Sequence, residues 1–237
     1  MNHQELHEAF KKAYEDVILP EDQCISRWNW KYIECLYDLV KIRAPQRILE
    51  LGVYYGFSTV AMLLAAKEYG GELWSVDLEL KKEAVKAVDN LHIGWRAFSM
   101  DDLEFVNILK EDFSLIFIDT EHIYDQCRKE INAFHPHLNP DGIMVFHDVS
   151  AGQGAEVFRA IKEFMAQHQE YKFTGYNQDI GIIYTQKKVL LESDQCSCGS
   201  KVYELGKFGG NETSYKCVKC NSILMLPFGY RATREVR

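Results

Sequence analysis

The sequence predicts an α/β fold: a mostly parallel sheet with helices on both faces, plus a small cysteine-bearing unit at the C-terminus. Three observations carry this. Five short, largely apolar runs are each followed by a helix-like segment. Two further strand-like runs are separated by only two residues. Four of the seven cysteines cluster after residue 195.

The first elements are helical. Apolar residues at Leu6, Phe10, Ala13, Tyr14 and Val17, then at Trp30, Ile33, Leu36, Tyr37 and Val40, recur at three and four positions, and Pro45 closes the second helix. RILEL (47–51), ELWSVD (72–77), WRAFSM (95–100), FSLIFID (113–119) and GIMVFHD (142–148) follow as buried strands. Helices are expected between and after them at 57–69, 81–91, 102–110, 124–135 and 154–168. Parallel neighbours need such crossovers. YKFTGY (171–176) and DIGIIYTQ (179–186), joined by Asn177 and Gln178, read as a tight antiparallel hairpin.

The chain of 237 residues is 47% apolar, enough for a sizeable core, and carries a net charge of −8. That sign argues against a surface built to neutralise nucleic-acid phosphates. The tail from Gln195 has seven Lys+Arg against three Asp+Glu, leaving twenty against thirty-two before it. No apolar run reaches the ~20 residues of a membrane span, and the start MNHQELHEAFKKAYED lacks the apolar core of a secretory signal. A cytoplasmic protein with no membrane partner is expected.

ILELGVYYGFSTVAML (48–63) runs strand, turn, helix. Gly52 and Gly56 permit a sharp turn and a close approach to a ligand, and Ser58 sits near the helix N-terminus. The spacing is E-x-G-x-x-x-G-x-S, distinct from the dinucleotide G-x-G-x-x-G. Asp77 closes the second run and Ser99-Met100-Asp101 the third, where the simplest alternative role for the acids is helix capping. Asp119 closes the fourth and His147-Asp148 the fifth. Neighbouring parallel strands bring such ends together, on the edge where open α/β sheets bind ligands. Two carboxylates and an imidazole there could hold a divalent cation, with oxygen donors favouring Mg²⁺, Mn²⁺ or Ca²⁺ and the imidazole tilting toward Mn²⁺, Fe²⁺ or Zn²⁺.

Five alternating units ending in a hairpin resemble the Rossmann-like seven-stranded sheet of class I methyltransferases that use S-adenosylmethionine. The segment 48–63 resembles motif I of the catechol O-methyltransferase type. The resemblance implies that Glu50, Gly52, Tyr54, Gly56 and Ser58 lie along the cofactor's methionine part, Asp77 at its ribose and Ser99, Met100 and Asp101 at its adenine, with Asp119 also near the cofactor. It further implies a divalent cation, Mg²⁺ or Mn²⁺, on Asp119 and Asp148. In catechol enzymes a lysine three residues past the metal aspartate takes the proton. His122 occupies that offset, and an imidazole suits the role. The stretch IDTEHIYDQCRKEINAFHPHLNPDGIMVFHD resembles the branch that methylates sugars and antibiotic-like natural products. Val149 stands where the catechol enzymes have an asparagine ligand, so the third ligand is His147, another residue or water. Orienting a ligand or packing in the core is the other reading of His147.

Cys196, Cys198, Cys217 and Cys220 form two close pairs eighteen residues apart, a pattern that suits structural Zn²⁺ in a ribbon of two hairpins, around 196–206 and 214–226. Disulfides or free thiols are the alternatives. Three domains are expected: helices at 1–44 that lid the pocket, a methyltransferase domain at 45–190 and the ribbon at 191–237. Arg27, Trp28 and Trp30 are lid candidates beside a plainer packing role. The expected activity is metal-assisted O-methylation of a small polyhydroxylated acceptor, a sugar or glycosylated natural product. A catechol-type enzyme is the alternative. So is a non-catalytic binding protein whose ribbon meets a nucleic acid or protein. The acidic chain favours docking of the ribbon on its own body or on a second subunit of a homo-oligomer.

Overall fold

The computed structural model describes residues 1–23, 30–149, 154–175 and 180–185, with three tail strands between 202 and 227. The opening helices are α1 (His3–Ala13) and α2 (Trp30–Arg43). Asn2 caps α1 in a reciprocal pair with Glu5. Helix α2 stops before Pro45 because a residue preceding proline avoids the helical region, and Ala44 turns to a positive φ of 44°.

The main sheet contains β1 (Arg47–Leu51), β2 (Glu72–Asp77), β3 (Arg96–Ser99), β4 (Phe113–Ile118), β5 (Leu138–Phe146), β6 (Tyr171–Gly175) and β7 (Gly181–Thr185). The helices between and after its strands are α3 (Phe57–Lys67), α4 (Lys82–Leu91), α5 (Asp102–Phe105), α6 (Tyr124–Phe134) and α7 (Gly154–Gln167). Strand order is β3-β2-β1-β4-β5-β7-β6, with β7 antiparallel to both neighbours.

Both faces of the central strands are buried, as parallel sheets require. Leu115, Phe117, Ile143 and Val145 pack with α1, α2 and α3, while Ile116, Ile118, Met144 and Phe146 pack on the opposite side with α6 and α7. The first two helices are therefore part of the main core. Asn90 of α4 donates to the Ala13 carbonyl at 2.8 Å. Trp30 also packs inward, its ring 4.0 Å from that of His7, while Arg27 and Trp28 lie outside the described residues.

Two boundaries differ from the sequence reading by four residues or more. Strand β5 begins at Leu138, four residues earlier, because Leu138 pairs with Phe113 ahead of a bulge that accommodates Pro140. Helix α5 is a single turn ending at Phe105. The described β6–β7 pairing ends at Gly175↔Gly181, and the turn expected at Asn177 and Gln178 lies outside the described residues.

The tail holds β8 (Val202–Phe208), β9 (Glu212–Cys217) and β10 (Ile223–Pro227) in an antiparallel order β10-β9-β8. The pair β9–β10 matches the second expected hairpin, whereas the pairing described for β8 is with β9. Cys196, Cys198 and Cys220 lie outside the described residues. Among the described residues no helix is long and apolar enough to cross a membrane.

Candidate active site

Register places the site. Leu51 pairs with Ile118 and Ile118 with Phe146, so β1, β4 and β5 end in one row. The backbone continues that row for one more step: Asp119 N–H donates to the Leu51 carbonyl at 2.9 Å and His147 N–H to the Ile118 carbonyl at 3.1 Å. Gly52, Asp119 and His147 are thereby brought side by side.

Gly52 has φ +89°, and a Cβ there would lie 2.1 Å from the Asp119 carbonyl oxygen. Its missing side chain therefore serves a close approach of two chain segments, where the sequence suggested approach to a ligand. Gly56, at φ +82°, begins α3 against Ala84. Tyr54 also has positive φ and is exposed.

Glu50 is placed differently from the expectation of a residue along the cofactor. It is fully buried, and its carboxylate accepts from Ser58 (2.6 Å), Thr59 (2.7 Å) and Ser75 (2.6 Å). Burial pushes its pKa up to about 7, against the pull of those three hydroxyls and helped by the negative charge of Asp119. Glu50 thus ties α3 and β2 to β1 beneath the loop, and Ser58 directs its hydroxyl inward to it. Thr59 and Ser75 were missed by the sequence reading, although a serine inside the apolar run ELWSVD is a sign of a buried polar partner.

Asp77 ends β2 and braces the loop: its Oδ2 accepts from Val53 N–H (2.7 Å) and Tyr54 N–H (3.0 Å), and its Oδ1 from Glu79 N–H (3.1 Å). Ser99 donates to the Leu78 carbonyl, and Met100 is half-buried. Asp101 caps α5 by accepting from Glu104 N–H, so the capping role weighed for it is present. Beneath the Asp119 loop, Glu130 is fully buried, accepts from Thr120 at 2.6 Å and faces Asp102. Burial and the facing acid hold its carboxyl well above the usual carboxylate range.

At the ends of β4 and β5 the expected residues converge. Asp119 Oδ1 lies 3.1 Å from His147 Nδ1 and 3.2 Å from His122 Nε2. Asp148, at φ 50°, sets its Oδ2 3.2 Å from His122 Nδ1 and its Oδ1 3.6 Å from His147 Nδ1. Asp119 does not cap α6, whose N-cap position is Ile123. Burial would raise the Asp119 pKa, but hydrogen bonds and charge from His122 and His147 outweigh it and hold the carboxylate far below its ordinary range. The Asp119 hydrogen bond raises the His122 pKa in turn, with Asp148 adding to it. Tyr32, which has no sequence signal beyond its place in an amphipathic helix, donates to Asp119 Oδ2 at 3.1 Å. Burial, then the charges of Asp119 and Glu50, hold its phenol well above its usual pKa. Ligand atoms of Asp119, His122 and His147 lie within 4.8 Å of one another, a set that fits a divalent cation of mixed oxygen and nitrogen preference. Glu121 is exposed, and Tyr124 turns toward α7, where Arg159 stacks on its ring at 4.0 Å.

Residues 49–149 match the family described as a methyltransferase domain. Solved structures share the chain's fold. A methyltransferase of Podospora anserina, PaMTH1, bound to S-adenosylhomocysteine, is 14% identical with a TM-score of 0.58, covering 79% of this chain and 97% of its own. The O-methyltransferase of Bacillus cereus in complex with S-adenosylhomocysteine is 19% identical with a TM-score of 0.57, covering 77% and 91%. TomG of Streptomyces achromogenes, an O-methyltransferase involved in tomaymycin synthesis, is 16% identical with a TM-score of 0.57, covering 76% and 88%. An uncharacterized protein of Sinorhizobium fredii, y4gI, is 24% identical over 167 residues, which are 64% of this chain and 18% of that protein. The segment that matches this family spans the Gly52 loop, Asp77, Asp119, His122, His147 and Asp148.

Proposed function

We propose that the protein is an S-adenosylmethionine-dependent O-methyltransferase, assisted by a divalent cation, acting on a hydroxyl of a small polyhydroxylated molecule such as a sugar or glycosylated natural product. The observation that carries it is the convergence of Asp119, His122, His147 and Asp148 beside the Gly52 loop, in a chain whose domain and fold are those of methyltransferases.

S-adenosylmethionine would supply an electrophilic methyl group over the loop 52–58. The loop's shape is held by Asp77, whose carboxylate fixes two successive backbone N–H groups, and by Glu50 from below. A cation held by Asp119, His147 and Asp148 would supply the positive charge that eases loss of the acceptor's proton and fixes its oxygen. Mn²⁺ or Mg²⁺ suits two carboxylates, and the imidazole of His147 favours Mn²⁺. His122 is the residue placed to take that proton. Its Nε2 shares a hydrogen bond with Asp119 Oδ1 at 3.2 Å and its Nδ1 lies 3.2 Å from Asp148 Oδ2, so a carboxylate stands behind whichever ring nitrogen turns to the acceptor, the orienting arrangement of a histidine base. The acceptor class rests on the D-x-x-H stretch and its likeness to sugar-methylating enzymes.

The same proposal assigns structural Zn²⁺ to Cys196, Cys198, Cys217 and Cys220. It is supported by β9 ending at Cys217 and by β9 and β10 bracketing residues 218–222, a length suited to a metal knuckle.

The test is a panel of sugars, glycosylated natural products and catechols assayed for release of S-adenosylhomocysteine, with and without a chelator, alongside metal analysis of the purified chain. Acceptor-dependent release that needs Mn²⁺ or Mg²⁺ is expected, with zinc retained on the protein. Asp148→Ala should lose the metal stimulation while keeping cofactor affinity, and His122→Ala should slow turnover by ~10²–10⁴-fold. Turnover that survives chelation removes the cation from the mechanism. No binding of S-adenosylhomocysteine would sink the whole reading.

A further inference from the structure

Asp119 is a short side chain on the turn after β4, and nothing about a strand end by itself selects which carboxylate oxygen faces the neighbouring strand. Two separate elements remove that freedom. The backbone is held by the Gly52 loop, which approaches so closely that no Cβ fits between it and the Asp119 carbonyl. The side chain is held by Tyr32 on α2, whose hydroxyl donates to Oδ2 at 3.1 Å. Oδ1 is then the oxygen left facing His147 Nδ1 and His122 Nε2.

Helix α2 can deliver that hydroxyl because the face beside Tyr32 is fixed in the core. Ile33, Leu36, Tyr37 and Val40 are buried against α3 and the sheet, so the height of Tyr32 above the strand ends is set by packing. The Tyr32 ring lies 4.6 Å from the His147 ring at an interplanar angle of 57°, and it steadies the second ligand from the same side.

We propose that Tyr32 is a positioning residue of the cation site: its hydroxyl fixes Asp119 by Oδ2 so that Oδ1 alone is presented to the ion, and α2 is thereby a working part of that site. The proposal deepens the cation reading above and rests on it. Partners of this kind, behind a metal ligand, typically govern metal affinity by about 10–100-fold.

The experiment is titration of the full chain with Mn²⁺ alone, followed calorimetrically, for wild type and Tyr32→Phe, with S-adenosylhomocysteine affinity and thermal midpoint measured on both. Phenylalanine keeps the ring against His147 and deletes the hydroxyl, which also meets Ser58. The expected result is Mn²⁺ binding weakened by about 10–100-fold, with S-adenosylhomocysteine affinity within about twofold of wild type. Mn²⁺ affinity within about twofold of wild type would overturn the proposal. So would a parallel loss of S-adenosylhomocysteine binding or of folding, because the hydroxyl would then act on the fold at large. A wild-type chain that binds no Mn²⁺ takes down the cation reading and this proposal together, whereas an unchanged Tyr32→Phe removes only the latter.

Discussion

Replacing Glu50 by glutamine tests the buried centre of the loop through its pH dependence. Glu50 is fully buried and its pKa stands at about 7, against an ordinary 4.5, chiefly because burial disfavours the charged form. A carboxyl raised on folding contributes stability that is fully present below about pH 4.5 and is lost as pH rises through about 7, where the unfolded chain gains more from ionising. At about 1.4 kcal/mol per pKa unit the loss is about 3 kcal/mol. For a chain of this size that is roughly 6–12 °C in thermal midpoint. The assay is urea unfolding of wild type and Glu50→Gln at steps between pH 4.5 and 8, extrapolated linearly to water. The difference between the two proteins should change by about 3 kcal/mol across that range. Contributions from other groups, such as Glu130, are common to both proteins and cancel. Curves that stay parallel to within about 1 kcal/mol would refute a buried, elevated Glu50, for such a slope has no other source in this substitution.

Further outcomes follow from the same geometry. Gly52→Ala should destabilise the chain by at least about 2 kcal/mol and weaken S-adenosylhomocysteine binding, since the new Cβ meets the Asp119 carbonyl at a positive φ. Gly70→Ala, at φ +79° with nothing within 4 Å, should cost only about 1–2 kcal/mol, and urea midpoints compare the two. Glu130→Gln should flatten the loss of thermal midpoint above neutral pH. The buried carboxyl is held above its usual range by burial and Asp102, so native stability falls as it is forced to ionise.

Much of the site's framework was already present in the order of residues. Apolar runs ending in Asp77, Asp119 and His147-Asp148 implied parallel strands whose polar ends would meet. The structure pairs Leu51 with Ile118 and Ile118 with Phe146 in one row. His122, read from its offset after Asp119, does stand at that row, but with both ring nitrogens facing carboxylates. The burial of Glu50 was not legible, for a physical reason. A glutamate in a strand before a glycine turn looks like a ligand contact, and only the packing of α3 and β2 around it supplies three hydroxyls that turn it into a buried brace. The fifth strand was expected only from Gly142 because local propensity carries no knowledge of the bulge that lets β5 start at Leu138.

By itself the sequence determined the alternation of strands and helices, the turn at Gly52 and the polar residues that close each strand, because these depend on periodicity and on conformations local to a few residues. Only the tertiary structure decided which oxygen of Asp119 faces the imidazoles, why Gly52 has no room for a side chain and how Tyr32, 87 positions away, reaches the end of β4. Those depend on distances between segments that no local pattern encodes, and they are fixed only when the core on both faces of the sheet sets the height of each element against the next.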